Sequence, residues 1–178
     1  LLLPMTGLLE KLACRIIPDH AGGDSIPELD ERLMATPAVA MERCHEVTMN
    51  MGFTSVRATR NAMHELKNHD VKRAESIRED ERTADRYEDE LGTYLVKLSG
   101  CHLSDQDRVE AAELLHMIGD FERISDHAVN ILESTEELRG KGIAFTQPAI
   151  EEMSKMFGAV DEIMDLALTA FIHRDLSA

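Results

Sequence analysis

Residues 114–132 read Leu114-Leu115-His116-Met117-Ile118-Gly119-Asp120-Phe121-Glu122-Arg123-Ile124-Ser125-Asp126-His127-Ala128-Val129-Asn130-Ile131-Leu132. Wound as a helix with Ile118 as zero, Leu114, Leu115, Phe121, Ser125, Val129 and Leu132 fall within about 60° of it. Such an arc is the core face of an amphipathic helix. Glu122 lands at about 40°, inside the arc, and Asp126 at about 80°, on its edge. His116, Arg123 and His127 fall near the opposite side.

The same device occurs upstream. With Ile77 as zero, Ala84, Leu91, Leu95 and Leu98 form an apolar stripe, with Glu81 at about 40°, Asp85 at about 80° and Glu88 at about 20°. The repeated letters are E-R-T-A-D at 81–85 and E-R-I-S-D at 122–126, each four residues after an isoleucine. A turn centred at residues 101–102 makes the two helices an antiparallel hairpin. Glu81 and Glu122 are then expected at one height, with Asp85 and Asp126 a turn away on either side. The four acids would form a row over about 12 Å, which Glu88 lengthens.

Carboxylates lined up in a helix interface repel one another and lose solvation, so a positive charge is needed there. Two sources remain open: a bound cation, or a basic side chain such as Arg82 or Arg123 reaching across. Oxygen-only donors suit hard cations or a carboxylate-bridged cluster, and the shortage of inward His or Cys argues against a soft metal. The candidate ligands are Glu81, Asp85, Glu88, Glu122 and Asp126. The candidate cations are iron, zinc, manganese and magnesium.

Outward from this hairpin, turn and cap residues divide the chain into four helices. The first opens at Thr36-Pro37, a hydroxyl N-cap followed by proline at the first helical position, and runs to about Lys67. Asn68-His69-Asp70 makes the next turn. The second helix runs from about Asp70 to Ser99 and is expected to end on a left-handed Gly100. Ser104 with Asp107 starts the third, which ends near Gly140 and Gly142. Thr146-Gln147-Pro148 precedes the fourth, which runs to about Asp175. Short connections between long helices define an all-α, antiparallel up-and-down bundle over residues 36–178. Residues 1–35 read as a separate segment: Leu8, Leu9, Leu12, Ile16 and Ile17 lie on one side of a stretch too short and too charged to span a bilayer. His20 to Pro27 follows as a connector rich in turn residues.

Composition narrows the function. The 178 residues carry 19 Lys and Arg against 34 Asp and Glu, a formal net charge of −15. That balance argues against nucleic acid, whose binding rests on basic residues. Cys14, Cys44 and Cys101 are odd in number and contain no C-x-x-C pair, which fits a reducing compartment. No phosphate-cradling glycine loop and no serine nucleophile elbow occurs, so no catalytic residue is assigned.

At this point the residues resemble a known family. Asp120 to Ile131 is similar to the third-helix signature of a PhoU-type unit, and Glu81 to Leu91 looks like the matching acidic motif of its second helix. The resemblance runs from about Thr36 to Gly140, and the fourth helix looks like the opening of a second unit. It implies a PhoU-like bundle whose E-x-x-x-D motifs bind multinuclear metal clusters, in proteins that regulate phosphate uptake. Leu1 to Pro18, with Leu29 to Leu33 and Thr36 to Ala40, is further similar to the stretch that joins the membrane domain of bacterial sodium/phosphate cotransporters to a PhoU-like tail. That likeness implies a position on the cytoplasmic side of the plasma membrane. The partner it implies is the membrane domain of the chain's own transporter, and homo-oligomerisation is a further expectation.

Two rival readings stand beside this one. A di-iron carboxylate enzyme would draw on Glu42-x-x-His45 and Glu113-x-x-His116, although Glu113 and His116 fall on the face opposite Glu122. The other is a metal-free helical interaction domain. Asp161 and Asp165 share the motif spacing on the fourth helix but fall off its apolar stripe and are expected to be solvated. Seven histidines, all but His127, are also expected to be solvated, and Met153, Met156 and Met164 are expected to fill the core.

Overall fold

The computed structural model describes residues 29–173. A short 3-10 turn, Glu31–Ala35, leads into α1 (Pro37–Glu65), α2 (Val71–Ser99), α3 (Asp105–Gly140) and α4 (Gln147–His173). Among the described residues there is no strand. The segment 1–28, with its expected amphipathic stretch and connector, lies outside the described residues, as does Asp175, where the fourth helix is expected to end.

Helices α1, α2 and α3 pack on one another around a shared core. The stripes read from sequence supply it. Ile77, Ala84, Leu91, Leu95 and Leu98 of α2 are buried against Leu114, Ile118, Phe121 and Leu132 of α3. Met41, Cys44, Val47 and Met51 of α1 close the third side. Residues 29–35 belong to this packing: Leu29, Leu33 and Met34 lie against the core, and the Tyr94 hydroxyl donates to the Asp30 carbonyl at 2.9 Å.

The caps place the helix ends. Asp70 accepts from the Lys72 N–H at the start of α2, and Ser104 and Asp107 form a reciprocal capping box at the start of α3. Gly142 ends α3 in the left-handed region, at φ 66°, with the Ile143 N–H donating back to the Leu138 carbonyl at 2.9 Å.

Gly100 behaves differently from the sequence expectation. Its φ is −78°, in the right-handed region. The Gly100 and Cys101 N–H groups donate to the Lys97 and Leu98 carbonyls at 3.1 and 2.9 Å. The chain thus goes on winding past Ser99, and the reversal falls at 102–104. This displaces the register of the α2–α3 hairpin.

Helix α4 packs along α1, burying only Met164 and Leu168. Gly52 makes room for it: a Cβ there would stand 2.7 Å from Phe121 Cζ and 2.9 Å from Leu168 Cδ2. Asp161 and Asp165 are about half exposed, as expected off the apolar stripe, and they also have a partner. Arg60 of α1 donates to both, at 2.5 Å each, and pins α4 to the bundle. Met164 and Met153 fill space as expected, whereas Met156 is 55% exposed. None of the described helices is long and apolar enough to cross a membrane.

Candidate metal centre

The two acidic motifs meet across the α2–α3 seam. Glu81, Asp85 and Asp126 each offer a carboxylate oxygen, and the three oxygens lie within 4.8 Å of one another. Glu122 stands beside this trio, close enough to feel Asp126, Glu88 and Asp85. Glu88 reaches over the backbone of Gly119, its Oε1 3.9 Å from where a Cβ would be. All five sequence-assigned acids therefore share one stretch of seam, with Glu81 half-buried and Asp85 exposed.

Their arrangement differs from the expected row. Glu81 neighbours Asp126, and Glu88 lies over Gly119. Each of these pairs is centred between residues 103 and 104, two positions beyond the centre assumed from sequence. The winding through Gly100 and Cys101 accounts for that shift. Glu81 of one motif consequently faces Asp126 of the other, while Glu122 feels Asp126 of its own motif and Glu88 ahead of Asp85, which draws the acids into a compact cluster.

Electrostatics show the strain of that arrangement. The Glu81 carboxyl is pushed above its ordinary range, first by burial, then by Asp85 and Asp126, with Arg82 offsetting part of the effect. Asp85 is raised by burial, Asp126 and Asp89. Glu122 is raised by burial, Asp126, Glu88 and Asp85. In each case loss of water disfavours the anion and neighbouring anions add to it.

No basic side chain forms an ion pair with the cluster among the described residues, and Arg82 acts on Glu81 only through space. Arg82 pairs with Glu79 and Arg123 with Asp120, both along their own helices and both exposed. Among the described residues, no ion pair involves Glu81, Asp85, Glu88, Glu122 or Asp126. Four other carboxylates that bridge elements are each held by a base. Asp80 takes two bonds from Arg57, Glu136 pairs with Arg78, and Asp161 and Asp165 share Arg60. A set of hard oxygens without a base, drawn from two rigid helices, fits a hard cation bound by carboxylates.

The rival ligand sets are placed elsewhere. Glu113 and His116 are exposed on α3 and lie outside the acidic trio. Glu42 is exposed, and the His45 ring stacks on Phe171 with centroids 4.6 Å apart. His45 is thus part of the α1–α4 contact, contrary to the expectation that it is solvated. His69 departs from that expectation too, because its Nδ1 lies against the Glu65 carboxylate.

Two functional-looking acids went unread in the sequence. Glu65 is 1% exposed, yet it accepts the Asp70 N–H at 2.9 Å and is joined by His69 and Arg73, so it ties the α1–α2 turn together. Asp80 is 4% exposed and held by Arg57. The spacing Glu65, His69, Arg73 was the available signal for the first of these.

Fold and site together define an all-α antiparallel bundle in which two consecutive helices present acidic motifs to one seam. Residues 48–135, which hold the C-terminal part of α1, all of α2 and most of α3, match the PhoU domain family model, and this match supports the PhoU family. That family is regulatory and non-enzymatic. No curated protein and no solved structure matches the chain significantly.

Proposed function

We propose that this chain is the cytoplasmic PhoU-like regulatory domain of a sodium-dependent phosphate transporter, and that it binds a metal cluster between α2 and α3. The observation that carries the metal reading is the contrast in pairing. Asp80, Glu136, Asp161 and Asp165 reach across elements to a base, while Glu81, Asp85, Glu88, Glu122 and Asp126 have one another. Glu81, Asp85 and Asp126 would hold a cation directly, with Glu122 and Glu88 beside them to bridge to a second. Iron, manganese, zinc or magnesium would supply positive charge that welds α2 to α3.

The regulatory part rests on the PhoU domain match and on the likeness of the first 40 residues to a transporter-to-tail junction. A seam whose closure depends on a cation is a two-state element through which a ligand can act on a neighbouring membrane domain. Uptake tests it. Sodium-coupled phosphate uptake by the intact transporter is measured over low and high phosphate, with the domain present, deleted or carrying Glu122→Gln. Deletion is expected to change the dependence on phosphate supply, and Glu122→Gln to reproduce part of that change. Identical uptake curves for all three would rule the reading out.

A further inference from the structure

Helix α4 is held to the bundle lightly, and one of its contacts leads back to the acidic seam. It buries only Met164 and Leu168, and the pairs that Arg60 makes with Asp161 and Asp165 are half-exposed. The link 141–146 that joins it to α3 is exposed throughout. A helix with so little buried surface opens locally at far lower cost than the core.

Phe121 is where α3 reaches α4. Its ring shares the space over Gly52 with Leu168, and it meets the Phe171 ring edge-on with centroids 5.9 Å apart. The next residue, Glu122, turns to the other side of α3 and belongs to the acidic cluster with Asp126. With Ile118 as zero and facing the core, Phe121 lies at about −60°, Glu122 at about +40° and Asp126 at about +80°. A turn of α3 that swings the two acids out toward water therefore swings Phe121 inward, away from Leu168 and Phe171. A rotation of about 10° moves a side-chain tip by about 1 Å. Close-packed interiors pass on shifts of that size instead of absorbing them.

We propose that α4 is a releasable strap, and that cation binding between α2 and α3 fastens it through Phe121. The inference rests on the reading of the seam as a metal centre. While the carboxylates are uncompensated, their mutual repulsion favours the outward turn of α3, which unseats Phe121 and loosens α4. Once gathered on a cation, Glu122 and Asp126 stay in the seam and Phe121 stays under α4. The strap is then the two-state element through which the seam acts on the rest of the chain.

Hydrogen exchange of the chelator-treated 178-residue chain, read by mass spectrometry with and without Mn²⁺, tests the inference. A cation that only stabilised the fold as a whole would slow the core amides and leave α4 unchanged, because α4 opens locally with the seam still closed. Without Mn²⁺, α4 should exchange faster than α1. With Mn²⁺, residues 81–88 and 119–126 should gain protection, and exchange over 156–171 should slow about tenfold. In Phe121→Leu, which keeps the site apolar but shortens its reach, Mn²⁺ should still protect the seam while α4 no longer responds. A protected seam with unchanged α4 in the wild type would overturn the coupling and leave the metal reading standing, as would an α4 response that survives Phe121→Leu. Equal protection of α4 and α1 without Mn²⁺ would overturn the strap itself. No protection of the seam by Mn²⁺, Fe²⁺, Zn²⁺ or Mg²⁺ would remove the metal reading and the inference together.

Discussion

Cys44 sits in α1 with no exposed surface, and burial, reinforced by the Glu110 carboxylate, pushes its thiol up to about 12. Because the thiolate is the reactive form, Cys44 should stay unmodified in a short alkylation pulse at pH 8 while the half-exposed Cys101 reacts. Peptide mapping by mass spectrometry reads the difference, and equal labelling of the two would mean that the α1 packing opens readily.

The acidic motif residues make a second prediction at the same scale. Raised carboxyl pKa values mean that the folded, metal-free protein holds protons more tightly than the unfolded chain, between the ordinary value of 4.5 for Glu122 and its raised one. Stability from this site therefore falls as pH rises through that window, and the penalty is complete above it. In metal-free protein Glu122→Gln should raise the melting temperature at pH 7 by on the order of 1–3 °C, with the gain shrinking toward pH 4. Thermal melts of both proteins over that range check the sign, and a lower melting temperature for metal-free Glu122→Gln at pH 7 would contradict it. All five motif acids could be named from sequence, because their phase against an apolar stripe is a local property. Glu65 and Asp80 could not, because burial of a carboxylate depends on a base brought in by the fold, Arg73 across a turn and Arg57 from another helix.

Among the elements, α1 and α4 make a close approach at Gly52. Ala at Gly52 would improve helix propensity by about 1 kcal/mol, but its Cβ would press on Phe121 and Leu168 at under 3 Å. Overpacking of this kind costs about 1–3 kcal/mol, so a net loss of stability is expected. Hydrogen exchange should show the loss concentrated in α4, which is attached through Met164, Leu168, the Arg60 pairs and the His45–Phe171 stack. Unchanged exchange in α4 would mean that the contact is not what holds it. The four helices were legible because each couples a 3.6-residue apolar period to recognisable ends, of which the Ser104–Asp107 box is the clearest. The register of the α2–α3 hairpin was not. It hinges on the conformation of Gly100, a residue that permits either sign of φ, and right-handed winding there moved the pairing of the motifs.

For the whole molecule, a formal charge of −15 is concentrated further by placing five acids along one seam. That seam joins the two helices that carry most of the PhoU domain match, so whatever neutralises it also governs how firmly α2 and α3 close. A cation that binds only the folded state adds stability by mass action, about 2.7 kcal/mol at a hundredfold excess over its Kd. For a chain of this size that corresponds to a rise in melting temperature of roughly 5–11 °C.

The most direct test is thermal melting of chelator-treated protein with and without added Mn²⁺, run on the wild type and on Glu81→Gln/Asp126→Asn. The account predicts a rise of several degrees for the wild type that grows with metal concentration, and none for the double variant. Equal shifts in both proteins, or no shift in the wild type with Mn²⁺, Fe²⁺, Zn²⁺ or Mg²⁺, would contradict a metal centre between α2 and α3.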